Sequence, residues 1–240
     1  TIQLYKGQAI YGVGGGITWD STWESEYREV HQKAAVLYRK QARFKLITTG
    51  KISQKSLLFE DQHLERLTKA SRYFAYPFDA EELRQKIEEE CQSCEVNQDY
   101  RLRISLSKSG EMELSRQILT PLSPIFCQAK LYLQEADLNQ SFTYFKTTHR
   151  PHLNLGEQEI IYHNAAGELL ETSIGNLVLK IAGKLYTPPT SLGILPGIYR
   201  QHLLEGGQVE EKVLTLTDLN QTEAVYGCNA VRGLYELEVI

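Results

Sequence analysis

The sequence predicts an α/β (α+β) chain in which a small α/β layer precedes a larger strand-rich domain, with a short strand-and-helix unit ahead of both. Three observations predict it. Apolar residues recur at helical spacing in "STWESEYREVHQKAAVLYRKQ", "EDQHLERLTKASRYFAY" and "DAEELRQKIEEECQSCEV". Strand-like stretches dominate after the proline-bearing segment "TPLSP". The 240 residues, 42% hydrophobic and 23% charged, are enough for one large domain or two modest ones with real cores.

Composition excludes several function classes. A net charge of -4 lacks the basic footprint that nucleic-acid binding requires, so no nucleic-acid partner is expected. No apolar run reaches the length of a bilayer span, and "TIQLYKGQAI" has no charged n-region or apolar h-region. The expectation is a cytoplasmic protein with no membrane partner. Four cysteines are too few for a disulfide scaffold. Cys91 and Cys94 form a CxxC, but they share a helical stripe with Leu83 and Ile87, which points to core. A zinc site would want a second CxxC or a histidine pair, so no metal is expected.

The elements follow in order. "TIQLY" and "QAIYGV" read as strands joined at Lys6-Gly7, and a glycine run "GVGGG" follows. Asp20 or Ser21 can cap the next helix, whose stripe is Tyr27, Val30, Ala34 and Leu37. This unit, residues 1–42, is too small to bury its own apolar faces. Residues 43–121 form the α/β layer. It holds a strand pair around Gly50 and Lys51, two helices, and a hairpin turning at Lys108-Ser109-Gly110.

Residues 122–240 form the strand-rich domain. Its predicted strands lie in "FCQAKLYLQEA", "SFTYFKT", "QEIIYHNAAGELLETSI", "NLVLKIAGKLYTPP", "KVLTLT" and "EAVYGCNAV". Turns fall at Ala165-Ala166-Gly167 and Ala182-Gly183-Lys184. One helix, "GIYRQHLLEGG", starts after Pro196-Gly197 and ends at Gly206-Gly207.

Four places could carry chemistry. The glycine run has neither dinucleotide-fingerprint nor P-loop spacing, so it reads as a strand end passing close to a neighbouring backbone. Lys146 in "FKTTHR" ends an aromatic strand; half-buried, it could lose its proton and condense with an aldehyde cofactor, whereas in solvent it would be an ordinary edge lysine. Glu171 in "LLETSIGN" follows two leucines; it is either a surface carboxylate beside a turn or the partner of a protonated ring nitrogen. The helix start at Gly197, Ile198 and Tyr199 presents free amides suited to a phosphate, as any helix start does. Lysine, carboxylate and phosphate site in this order within one domain point further than any one of them.

Together "KTTHR", "GELLETSIGNLVL", "TPPTSLGILPGIYR" and "CNAVRG" resemble the C-terminal domain of fold-type IV pyridoxal-phosphate enzymes. With "FKLITT" and "DQHLERLTKASRYFAYPFD" upstream, the resemblance covers residues 43–240. Within that group, which includes the branched-chain and D-amino-acid aminotransferases, the motifs are most similar to the 4-amino-4-deoxychorismate lyases. The segment "GVGGGITWDSTWESEYREVHQKA" resembles a different family, the closing strands and helix of chorismate-binding enzymes such as component I of aminodeoxychorismate synthase. Glu26 and Glu29 stand where that family binds magnesium, but an isolated pair three residues apart reads as a solvated helix face.

The resemblance implies roles. Lys146 would hold pyridoxal 5'-phosphate and move the proton, and Glu171 would face the pyridine nitrogen. Arg66, the amides of Ile198 and Tyr199, and the loop at Asn229 and Ala230 would bind the cofactor phosphate. Arg103 would meet a substrate carboxylate, and Thr49 would stand at the site mouth, with Thr48 where the family has a glutamate. The implied activity is conversion of aminodeoxychorismate to 4-aminobenzoate and pyruvate in folate biosynthesis, by a homodimer that could associate with the synthase components. A class-IV aminotransferase and a non-catalytic docking module are the alternatives. The sequence departs from the family after the lysine: "RPHLNLGEQE" is short for the helix expected there, and His152 and Leu153 stand near the position of a usual tyrosine.

Overall fold

Positive φ at Lys6 (48°) and Gly7 (78°) makes the two-residue turn that matches strand twist, so β1 (Ile2–Tyr5) pairs antiparallel with β2 (Gln8–Tyr11). The computed structural model describes residues 2–37, 42–134, 140–154 and 156–240. It divides the chain into Thr1–Arg43 and Phe44–Ile240. In the first unit, α1 (Trp23–Ala34) follows the glycine run. Its cap is Thr22, in a reciprocal capping box with Ser25, rather than the expected Asp20 or Ser21. Helix α1 buries no residue within the unit, and Leu4, Ile17, Trp19 and Trp23 are exposed. The close-approach reading of the glycine run is corrected: among the described residues, a Cβ at Gly12, Gly14 or Gly16 would meet nothing within 4 Å. Gly15 alone has close neighbours, the carboxylates of Glu26 and Glu29.

The second unit begins with a four-stranded sheet in the order β4-β3-β5-β6. Its strands are β3 (Leu46–Ser53), β4 (Ser56–Leu57), β5 (Tyr100–Leu106) and β6 (Met112–Ile118). Strand periodicity separates two faces. Leu46, Ile52, Leu102, Ile104 and Leu106 share a buried cluster with α2 (Glu60–Phe74) and α3 (Ala80–Gln92), through Leu64, Leu67, Leu83 and Ile87. Cys91 and Cys94 belong to that cluster as free thiols, and burial pushes the Cys91 thiol up to about 11. The other face carries Ile47, Thr49 and Lys51 beside Ser105, Arg103 and Arg101, in the register Thr49↔Arg103.

Strand β3 runs straight through the expected turn at Gly50 and Lys51. The reversal comes later, at Gln54 and Lys55, both in left-handed conformation (φ 50° and 59°), without a glycine to mark it. Gly50 is needed for a different reason. A Cβ there would lie 2.6 Å from His63 Nε2 and 2.7 Å from Leu57 Cδ1, so its absence lets α2 approach the sheet.

After residues 120–124 the chain enters an eight-stranded sheet. It comprises β7 (Gln128–Leu133), β8 (Ile160–His163), β9 (Leu169–Thr172), β10 (Asn176–Ile181), β11 (Lys184–Thr187), β12 (Glu210–Glu211), β13 (Ala224–Asn229) and β14 (Gly233–Val239). The order is β12-β11-β10-β13-β14-β7-β8-β9, and β9 also pairs with β10 through Glu171↔Asn176. Six strands therefore close on themselves, leaving few free edges. Ile161, Leu169, Leu177, Leu179 and Leu237 form the interior cluster. Val178 packs on the opposite side with Leu203 of α5 (Ile198–Glu205). Strand β10 is thus buried on both sides, which explains its unbroken apolar run.

Two expected strands are helices. "SFTYFKT" contains α4 (Gln140–Tyr144), and "KVLTLT" is a loop entering α6 (Leu216–Asn220), capped by Thr215. In the first, the decisive aromatics are Phe142 and Phe145, three residues apart and on one helical side. They pack against Phe44, Tyr73 and Phe74.

Gly50→Ala should destabilise the protein by about 1–3 kcal/mol through overpacking at His63 and Leu57. Urea unfolding checks this, and a loss under about 0.5 kcal/mol would contradict the packing argument.

Candidate active site

Lys146 is placed by the aromatic wedge before it and by backbone pairing around it. Phe142 and Phe145 anchor α4 on the end of α2, with ring centroids 6.0 Å (Phe74–Phe142) and 4.5 Å (Tyr73–Phe145) apart. The chain then pairs with the start of β3: Ile47 N donates to Lys146 O at 2.9 Å, and Thr148 N donates to Lys45 O at 2.9 Å. This fixes the backbone on both sides of a flexible side chain. Burial, reinforced by Arg66, Arg150 and Arg103 and opposed by Glu171, holds the Lys146 ammonium well below its ordinary pKa. Among the described residues, no carboxylate forms an ion pair with it. The lysine is thereby set up to present a neutral amine.

Glu171 stands where the barrel closes. Its cross-strand partner is Asn176, whose Nδ2 donates to Leu195 O at 2.8 Å, and the Leu195 backbone favours the charged form of Glu171. The carboxyl is 3% exposed. Burial raises its pKa to about 7, against the lowering effects of Arg150, the Leu195 amide and Lys146. Arg150 Nη2 lies 3.8 Å from Glu171 Oε2, and Arg150 Nε is buried without a hydrogen-bond partner among the described residues.

Arg66, Gly197, Ile198, Asn229 and Ala230 line one narrow cleft with Lys146, Glu171 and Thr49. Arg66 Nη2 donates to Pro196 O at 2.7 Å, which ties α2 to the start of α5. Burial and then Arg150 lower its guanidinium to about 10. Helix α5 starts at Gly197 with no side-chain cap, so its first amides are left for a ligand. A Cβ on Gly197 would sit 1.9 Å from Asn176 Oδ1, so only glycine lets the helix start come this close to β10. The side chain of Tyr199 does not line the cleft and lies against Phe59 and His202, leaving its amide as the group available for the expected contact.

A larger cavity of about 470 Å³ adjoins the cleft and shares Thr49, Lys146, Arg150 and Asn229 with it. This size suits a small ligand. Arg103 lines this cavity rather than the cleft. Thr48 faces the opposite side of the sheet, its Oγ1 2.6 Å from His63 Nδ1. Burial, then Arg66 and Lys146, push the His63 imidazole down to about 3, so this contact is made by a neutral ring. The residues after Lys146 bear out the departure in the sequence: those described between Thr147 and Glu159 contain no helix, and Leu153 lines the larger cavity.

Sequence reasoning missed Arg150 and Asn176 as determinants of the site, along with Arg101 and Arg232 in the larger cavity. Arg150 was visible in "KTTHR", but its motif position carried no physical role until the fold brought it to Glu171. Arg66, Arg150 and Arg103 gather around Lys146, with Glu171 the one carboxylate acting on it. That excess of positive charge, with the unpartnered Arg150 Nε and the uncapped α5, fits the anionic phosphorylated aldehyde pyridoxal phosphate. Arg66 and α5 would hold the phosphate, Glu171 the ring nitrogen and Lys146 the aldehyde carbon.

Comparison with known proteins places the site in a family. Residues 1–39 match the chorismate binding enzyme family. An uncharacterized protein of Haemophilus influenzae is 29% identical over 123 residues, 51% of this chain and 61% of that protein, so the match spans less than two thirds of that relative. A solved structure of a candidate amino-acid aminotransferase from Mesorhizobium loti is 26% identical with a TM-score of 0.71, covering 82% of this chain and 100% of that one. A candidate 4-amino-4-deoxychorismate lyase from Legionella pneumophila is 20% identical with a TM-score of 0.65, covering 81% and 82%. The PLP-bound form of a hypothetical aminotransferase from Mycobacterium tuberculosis is 16% identical with a TM-score of 0.68, covering 81% of each chain. The last two show the shared fold. Residues 45–240 match the family model for amino-transferase class IV, and the chain belongs to that family.

Proposed function

We propose that this protein is a pyridoxal-phosphate-dependent lyase that converts 4-amino-4-deoxychorismate to 4-aminobenzoate and pyruvate. The observation that carries the reading is the presence, on one chain, of a chorismate-binding segment ahead of a class-IV domain. Such a pairing favours a substrate derived from chorismate over a general amino acid. When bound, the cofactor supplies an aldehyde that captures the substrate amine and a ring that accepts electron density from the adjacent carbon. Arg66 and the first amides of α5 bind its phosphate. Glu171 keeps a proton on the ring nitrogen.

Lys146, whose burial favours the neutral amine, would take the proton from substrate C4. The C3–O bond then breaks and the ring becomes aromatic. The enolpyruvyl group leaves as the enolate of pyruvate, which takes up the proton that Lys146 removed, so atoms and charge balance. Arg103 meets a substrate carboxylate, and Thr49, directly across from it in the sheet, borders both the cleft and the cavity. We also propose a homodimer and an association with the synthase components in folate biosynthesis. The solved aminotransferase at 26% identity supports a second reading, exchange of an amino group between an amino acid and a 2-oxo acid.

Purified protein loaded with pyridoxal phosphate should form 4-aminobenzoate and pyruvate in equal amounts from aminodeoxychorismate. Amino-group exchange alone would overturn the lyase reading. Lys146→Ala should remove the visible absorption band of the lysine-linked cofactor together with turnover; if wild-type protein shows no such band, the chain is a docking module.

Glu171→Gln should lower turnover by about 10²-fold, because the ring nitrogen loses its charged partner. The same change should stabilise the cofactor-free protein at high pH. The raised folded-state pKa of about 7 means that the wild type loses stability as pH rises from the ordinary carboxylate range through 7. At pH 8 the gain from Gln should approach roughly 3 kcal/mol and should vanish near pH 4. Equal effects at both pH values would contradict this.

A further inference from the structure

The larger cavity holds more positive charge than one substrate carboxylate uses. Arg101 and Arg103 lie two residues apart on the same face of β5, opposite Lys51 and Thr49 of β3. Lys51 is already paired with Asp99 at 3.0 Å. Arg232, at the turn between β13 and β14, reaches the same cavity from the barrel, and its Nη1 donates to Thr120 O. Among the described residues, neither Arg101 nor Arg103 makes a side-chain hydrogen bond or ion pair, and neither Asp nor Glu lines this cavity. Burial and the proximity of Arg101 lower the Arg232 guanidinium, so two like charges approach each other here without a counter-ion.

The three arginines are not equivalent. Arg103 faces Thr49, which borders both the cleft and the cavity, and its charge acts on Lys146. Arg101 faces Lys51, one step further along the sheet, and shares the cavity wall with Arg232.

We infer that Arg101 and Arg232, one from the sheet and one from the barrel, form a second carboxylate subsite, so that the cavity selects substrates with two carboxylates over those with one. This deepens the lyase reading and rests on it for the reacting amine. One carboxylate goes to Arg103 and the other is held between Arg101 and Arg232, beyond the bond that breaks. Charge-assisted hydrogen bonds from both guanidiniums would replace their mutual repulsion on binding. A monocarboxylate amino acid would leave this pair unneutralised, which discriminates against it.

Calorimetric titration of the cofactor-loaded protein tests this with ligands that lack an amine and cannot react. The probes are 3-(1-carboxyvinyloxy)benzoate, with two carboxylates, and 3-isopropoxybenzoate, similar in size with one. The wild type should bind the first about tenfold to a hundredfold more tightly, the equivalent of one or two charged hydrogen bonds. R101Q/R232Q should lose that preference while keeping its affinity for 3-isopropoxybenzoate and its visible cofactor band. A wild type that does not prefer the dicarboxylate, or a double variant that keeps the preference, overturns the inference. Failure of the lyase reading would look different: no 4-aminobenzoate from aminodeoxychorismate, with the dicarboxylate preference intact.

Discussion

The site depends on one backbone residue at the barrel seam. The Leu195 carbonyl receives the Asn176 side chain while its backbone stabilises the Glu171 carboxylate electrostatically, and Asn176 and Glu171 are the pair through which β9 meets β10. Closing the barrel and burying the carboxylate are therefore one event. Because the seam is buried, Glu171 has a pKa near neutrality even with Arg150 Nη2 at 3.8 Å. Asn176 also sets how close α5 comes, since its Oδ1 occupies the space where a Cβ on residue 197 would be. Carboxylate, anion-binding helix start and barrel closure are thus coupled through a few atoms.

Against this fixed wall the four-stranded sheet brings the mobile chemistry. Lys146 belongs to the chain segment before β8, yet its backbone is stitched to β3, so the amine is held at the join between sheet and barrel. Arg66 reaches across the same join to Pro196. The cleft and the adjoining cavity together have one carboxylate, Glu171, facing several guanidiniums, a distribution that costs stability unless an anion enters. A phosphorylated cofactor and a substrate with carboxylates supply that anion. The stability given up at Glu171 and at the facing arginines is the physical counterpart of the proposed activity.

Much of this was legible in the sequence, and the misses have physical causes. The hairpins at Gly7 and Gly183 and the capped helix at Asp79 follow from local chemistry, and local chemistry is what a sequence displays. The turn at Gln54-Lys55 was hidden because the left-handed conformation was taken by residues that rarely adopt it, while Gly50, the obvious breaker, served α2 packing. Helix α4 was hidden because aromatics at alternate positions imitate a strand, and only the rings of Phe44 and Phe74 decide which spacing is used. Arg66, Lys146, Glu171, Ile198, Asn229 and Ala230 were readable from motif resemblance, and the fold gathers them around one cleft. Arg101, Arg150 and Arg232 were not, because an arginine's role is set by the charges that long-range packing places beside it.

The most direct measurement is a crystal structure of the protein with pyridoxal phosphate. The account predicts electron density continuous from Lys146 Nζ to the cofactor, the phosphate on Arg66 and the Ile198 amide, and the ring nitrogen within hydrogen-bond distance of Glu171. A phosphate held by Arg101 and Arg232 instead, or a ring nitrogen turned away from Glu171, would contradict it.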